Sequence, residues 1–109
     1  MKTNMQSTSL DAYFNSVLPD ISEKHREILR VFIENPMMNF TNMEVAEELG
    51  WSINRVTPRV FELRGEDKRF QMTEPILIES ERRLCTITKF KAIAWQMNPY
   101  WRPGGYKID

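Results

Sequence analysis

Apolar side chains recur along this chain first at helical spacing and then, past its middle, in short alternating runs. Leu10, Tyr13, Phe14, Val17 and Leu18 fall at i, i+3, i+4, i+7 and i+8, one stripe of an amphipathic helix that Ser9 can cap and Pro19 stops. The stripe is more apolar than so short a helix needs on an open surface. It either packs on the domain core or meets a second copy of itself. A second stripe, His25, Ile28, Leu29, Phe32 and Ile33, follows a cap at Asp20 or Ser22 and ends at Pro36. His25 sits at the edge of that face and reads as a partly buried, hydrogen-bonded histidine, because no nucleophile or carboxylate pair surrounds it.

Thr41-Asn42-Met43-Glu44 has the form of a capping box, in which the threonine hydroxyl takes the amide three residues on and the glutamate reaches back. The helix it opens is short and buries Val45, Ala46 and Leu49, and Gly50 supplies the left-handed turn that reverses the chain. Trp51 is then expected in the core, Ser52 as a further cap, and Val56, Val60 and Leu63 as the inner face of the next helix. Pro58 falls within that helix. An unbroken helix would lose one hydrogen bond there at ~3 kcal/mol, so the expectation is a kinked but continuous helix. The alternative is a restart with Thr57 as cap and Pro58 as first helical residue.

Beyond the charged turn at residues 65–69, Ile76-Leu77-Ile78 reads as a strand, Ser80-Glu81-Arg82 as a turn and Leu84-Cys85-Thr86-Ile87 as a second strand. From Lys91, Ile93, Trp95 and Met97 alternate with Ala92, Ala94 and Gln96, which favours a strand. Phe90, Ile93, Ala94 and Met97 also fit a helix from Lys89 to Met97. The tail, with Tyr100, Trp101 and Tyr106 among Pro and Gly, reads as extended.

With 109 residues the chain is one domain's worth, and 41% apolar with 28% charged residues fits an ordinary globular protein. The organisation expected is an N-terminal extension (1–20), a domain (21–98) and a tail (99–109). No run approaches the ~18 apolar residues of a membrane span, and the start of the chain has no apolar signal core; the expected location is cytoplasmic, with no membrane partner. Cys85 and His25 are the lone cysteine and histidine, too few for a structural zinc site, so no metal or cofactor is expected. Glycine-rich phosphate loops and framed carboxylate pairs are missing too, which argues against an enzyme. Cys85 reads as a small buried hydrophobe.

Net charge is zero, but its distribution is uneven. Residues 1–48 hold four basic and eight acidic side chains, residues 49–109 eleven basic and seven acidic. An anionic partner should therefore meet the second half.

The run NMEVAEELGWSINRVTPRVFELR, followed by ILIES, RRLCTIT and AIAW, resembles the winged helix-turn-helix regulators common in bacteria and their phages, over about residues 22–97. The resemblance implies an α+β fold: a three-helix core, a β-hairpin wing and here an extra N-terminal helix. It implies sequence-specific binding of double-stranded DNA by a transcriptional regulator acting as a homodimer. Matching register places Ser52, Ile53, Asn54, Thr57 and Pro58 on the outward face of the reading helix, beside Arg55 and Arg59. Asn54 suits a bidentate contact to adenine and an arginine one to guanine, while Ser52 and Thr57 suit phosphates or base edges. Arg59 is equally placed to pair with a glutamate and tie helices together. Arg82, Arg83, Lys89 and Lys91 cluster in the wing, where they would rest on phosphates or enter the minor groove. The alternative for the whole chain is a protein-interaction module, which zero net charge and an acidic first half also fit.

Overall fold

A computed structural model describes residues 21–65 and 75–99. Three helices, α1 (Glu23–Glu34), α2 (Asn42–Leu49) and α3 (Ile53–Leu63), precede two antiparallel strands, β1 (Leu77–Leu84) and β2 (Lys91–Met97). The architecture is α+β. The expected helix at Leu10–Leu18 and the aromatic tail Tyr100, Trp101 and Tyr106 lie outside the described residues.

Local chemistry sets each helix end. Ser22 caps α1 and His25 completes a capping box, a role usually given to Glu or Gln. Thr41 and Glu44 form the expected box at α2. At the far end of α2 the Trp51 amide donates to the Ala46 carbonyl (2.9 Å) and the Gly50 amide to that of Glu47 (3.3 Å). This Schellman pattern requires the left-handed conformation that Gly50 adopts at φ +70°. Helix α3 runs unbroken through Pro58. Proline removes the donor that the Asn54 carbonyl would have received, and both residues are exposed, where water can serve that carbonyl. Ser52 caps α3 through its backbone only, the Arg55 amide reaching its carbonyl at 3.0 Å.

The core lies where the helices meet the hairpin. Ile28, Leu29 and Phe32 of α1 pack with Val45 and Ala46 of α2, Val56, Val60 and Leu63 of α3, and Ile76, Leu77 and Trp95 of the hairpin. Phe32 and Phe40 meet edge to face at 5.4 Å. Trp51, expected in the core, is only partly buried and packs against its margin.

The hairpin differs most from expectation. The segment Ser80-Glu81-Arg82 is strand, and the chain reverses between Cys85 and Phe90. Ser80 is the extra residue of a bulge, since Glu79 pairs with Trp95 and Glu81 with Ala94. The reversal is closed by the Cys85 amide on the Phe90 carbonyl and the Lys89 amide on the Cys85 carbonyl, both at 2.9 Å, with Lys89 left-handed at φ +67°. Residues 91–97 form a strand rather than the alternative helix. Tertiary pairing decides this: Trp95 exchanges both backbone hydrogen bonds with Phe40, at 3.0 and 2.7 Å.

Candidate nucleic-acid interface

Of the expected surface residues on α3, Ser52, Asn54, Arg55 and Thr57 are exposed. Arg55 lays its guanidinium over the Trp51 ring, 4.5 Å from the centroid, so the half-buried indole braces the start of the helix. Thr57 accepts a long hydrogen bond from Asn42 Nδ2 of α2 (3.4 Å).

Arg59 is committed elsewhere. Its Nε and Nη2 bind the two oxygens of Glu62 at 2.9 and 3.1 Å. Glu62 also meets His25 Nε2 at 2.6 Å, and His25 Nδ1 lies 2.5 Å from Ser22 Oγ. The chain Ser22–His25–Glu62–Arg59 thus stitches α1 to α3, and Arg59 takes the internal pairing that was its alternative. The neutral imidazole suits this site: Nε2–H donates to Glu62 while Nδ1 accepts from the Ser22 amide and hydroxyl. A proton on Nδ1 would face the Ser22 amide and break half of the capping box.

In the hairpin the four expected cations also divide. Arg83 binds Glu44 through both terminal nitrogens, Nη1–Oε2 at 2.8 Å and Nη2–Oε1 at 2.7 Å. Asn39 holds the same guanidinium through Oδ1 and its carbonyl, each at 3.0 Å, and its Nδ2 donates to Ser80 and Glu81 across the bulge. Lys89 is exposed, with Nζ on the Thr86 carbonyl at 2.8 Å. Arg82 and Lys91 are exposed, with no ion pair among the described residues.

Glu44, the third residue of α2 and half of its capping box, is the hub of this region. It is 8% exposed and accepts from the Thr41 amide (3.0 Å), the Thr86 amide (2.8 Å) and the Thr86 hydroxyl (3.0 Å) in addition to Arg83. The Arg83 guanidinium, outweighing burial and helped by these amides, pulls its carboxyl down to about 2. Glu62 lies below the usual carboxylate range, chiefly through Arg59, and burial holds His25 below its ordinary value despite Glu62.

All three shifts have the same consequence. Groups whose folded pKa is depressed leave the unfolded chain binding more protons, so stability falls as pH falls. The His25 contribution is present above 6.5 and is lost below it; the Glu44 contribution is lost between 4.5 and about 2. Urea midpoints should therefore decline in two stages on acidification, with the first stage absent in His25→Gln. A flat profile between pH 7 and pH 5 would show that His25 titrates alike in both states.

Two contacts bring the hairpin and α3 together on one feature, the first turn of α2. Thr41 Oγ1 lies 3.1 Å from Cys85 Sγ at the root of the hairpin turn, and the next residue, Asn42, touches Thr57 of α3. Burial raises the Cys85 thiol, but the Thr41 hydroxyl and the Thr88 and Ile87 amides outweigh it and leave it below its ordinary value. Asn42 Oδ1 is buried with no hydrogen-bond partner, beside an open groove of ≈ 330 Å³ between α2 and the hairpin. Among the described residues no cluster of His, Cys, Asp and Glu is arranged to hold a metal, and no helix is long and apolar enough to cross a membrane. Family models, curated proteins and solved structures were compared with the chain, and none matches.

Proposed function

We propose that this protein is a winged helix-turn-helix protein that binds double-stranded DNA in a sequence-dependent way. In this reading α3 is the reading helix and the β1–β2 hairpin is the wing. The three helices followed by a hairpin, with Phe40 adding a short bridge to β2, are compatible with that layout. The observation that carries the reading is the meeting of α3 and the hairpin turn at Thr41 and Asn42. One duplex can then touch both, with Asn54 and Arg55 at base edges and Arg82, Lys89 and Lys91 at phosphates. Ser52 and Thr57 supply further hydroxyl donors. Arg59 and Arg83 hold the scaffold in place of DNA, which leaves fewer free cations than the sequence offers.

A regulator of this kind gains specificity as a homodimer, because one short helix reads few base pairs. Selection from a pool of random duplexes tests the proposal. The expected product is a recurrent motif, repeated at a spacing of about one helical turn if two copies bind. A pool that stays random after repeated rounds would favour the protein-interaction module, to which the exposed Met38, lining an open groove with Glu47 and Glu48, is suited.

A further inference from the structure

We infer that the turn of the hairpin is an apolar wedge that enters the minor groove of duplex DNA, unstacks a base step and bends the duplex. The inference rests on the DNA-binding reading and deepens it by assigning the hairpin a task beyond phosphate contact.

Large apolar side chains are exposed at the hairpin end to an extent that folding does not explain: Leu84 is 63%, Phe90 75% and Ile87 38% exposed. These residues share their segment with cations alone. From Arg82 to Lys91 the chain carries four basic residues and no carboxylate. Glu44 neutralises Arg83, leaving Arg82, Lys89 and Lys91 around the apolar tip. A surface that only rests on phosphates has no use for an exposed phenyl ring. The centre of a protein–protein interface is depleted in lysine. A base step flanked by phosphates matches both features, offering flat apolar faces between two rows of negative charge.

The tip is also held in shape before any ligand arrives. Cys85 and Phe90 close the turn by a backbone hydrogen bond, the Lys89 amide returns to the Cys85 carbonyl, and Thr86 is fastened to Glu44 on α2. A wedge must resist being pushed back by the stacked bases, and this anchoring supplies that resistance. The same anchoring fixes the tip beside the α2 turn that touches α3, so it would meet the groove next to the one α3 occupies.

The experiment uses the full chain and a duplex enriched by selection, labelled at its ends for energy transfer and carrying 2-aminopurine at successive positions. Wild-type protein should bring the ends closer and raise 2-aminopurine fluorescence at one step. Leu84→Ala with Phe90→Ala should abolish both signals and weaken binding by about tenfold, with the salt dependence unchanged because the cations remain. Phe90→Leu, which keeps an apolar tip, should retain the bend. Since these side chains are exposed, unchanged circular dichroism is expected in all variants.

Binding by wild type without bending or fluorescence change would overturn the inference while leaving the DNA-binding reading intact. So would a double variant that bends DNA as wild type does. A change in sedimentation of the double variant in the absence of DNA would assign the tip to a second copy. Phe90-dependent binding to phosphatidylglycerol vesicles, with duplex left unbent, would assign it to an anionic lipid surface. Absence of binding to any duplex would remove the DNA reading itself and the inference with it.

Discussion

Replacing Glu44 with glutamine is expected to lower the unfolding free energy by about 3 kcal/mol, among the largest effects of a single polar change in this chain. The carboxylate joins the first turn of α2 to the hairpin by hydrogen bonds from Arg83, Thr86 and the Thr41 amide. The amide of glutamine would turn a donor toward Arg83 and Thr86, which are donors themselves, and would leave the guanidinium without its counter-charge. Half of the α2 capping box would be weakened as well. Urea unfolding measures the loss, and hydrogen exchange at the Thr86 amide should report release of the hairpin turn before global unfolding. A second variant, Arg83→Met, apportions the effect: a coupling well above ~1 kcal/mol between the two sites is expected, because the bond is bidentate and largely buried. Destabilisation by Glu44→Gln within ~0.5 kcal/mol, the usual range for a surface change, would mean that the hairpin is held by packing alone.

The second large effect falls on binding. Asn54→Ala together with Arg55→Ala should cost about 10²-fold or more in affinity for the selected duplex, since each bidentate base contact is worth ~1–3 kcal/mol. Both residues are exposed on α3, so stability should fall by no more than the stacking of Arg55 on Trp51, ~0.5–1 kcal/mol. Arg59→Ala should behave in the opposite way. It strips Glu62 of its guanidinium beside His25, so it should lower stability while changing sequence preference little. Filter binding on selected and scrambled duplexes separates the two classes. Equal losses on both duplexes for the Asn54/Arg55 pair would reassign these residues from base reading to phosphate contact.

These assignments show which parts of the molecule local sequence encodes. Thr41-Asn42-Met43-Glu44 and Gly50 were legible because caps and Schellman turns are made by residues within a few positions of each other. The inner faces of α1 and α3 were legible for the same reason, apolar residues recurring each turn. The start of β1 at Leu77-Ile78 and the strand from Lys91 were legible too, but the middle of β1 and the hairpin turn were not. The β1 residues Ser80-Glu81-Arg82 are polar because that stretch of the strand is largely exposed, and polarity imitates a turn. The real turn, Thr86-Ile87-Thr88-Lys89, contains none of the residues that usually mark one, and Lys89 takes a positive φ that glycine or asparagine would normally supply.

Long-range pairings set the candidate surface as well. Arg83 is bound to Glu44, 39 residues earlier, and Arg59 to Glu62 one helical turn on. The exposed residues Asn54, Arg55, Arg82 and Lys91 were identifiable from helical register and clustering. The contacts of Cys85 with Thr41 and of Thr57 with Asn42, which bring the hairpin turn and α3 to the start of α2, are tertiary and no local pattern carries them.

The salt dependence of duplex binding tests the central claim most directly. Arg82, Lys89 and Lys91 are the phosphate-contacting cations of the proposed surface, and neutralising about three phosphates per protomer gives a slope of log K against log salt of about −2.7 between ~50 and ~200 mM. Arg82→Gln with Lys91→Gln should reduce that slope by about 2. A protein that fails to bind duplex at ~50 mM salt, or binds with no dependence on salt, would contradict the account.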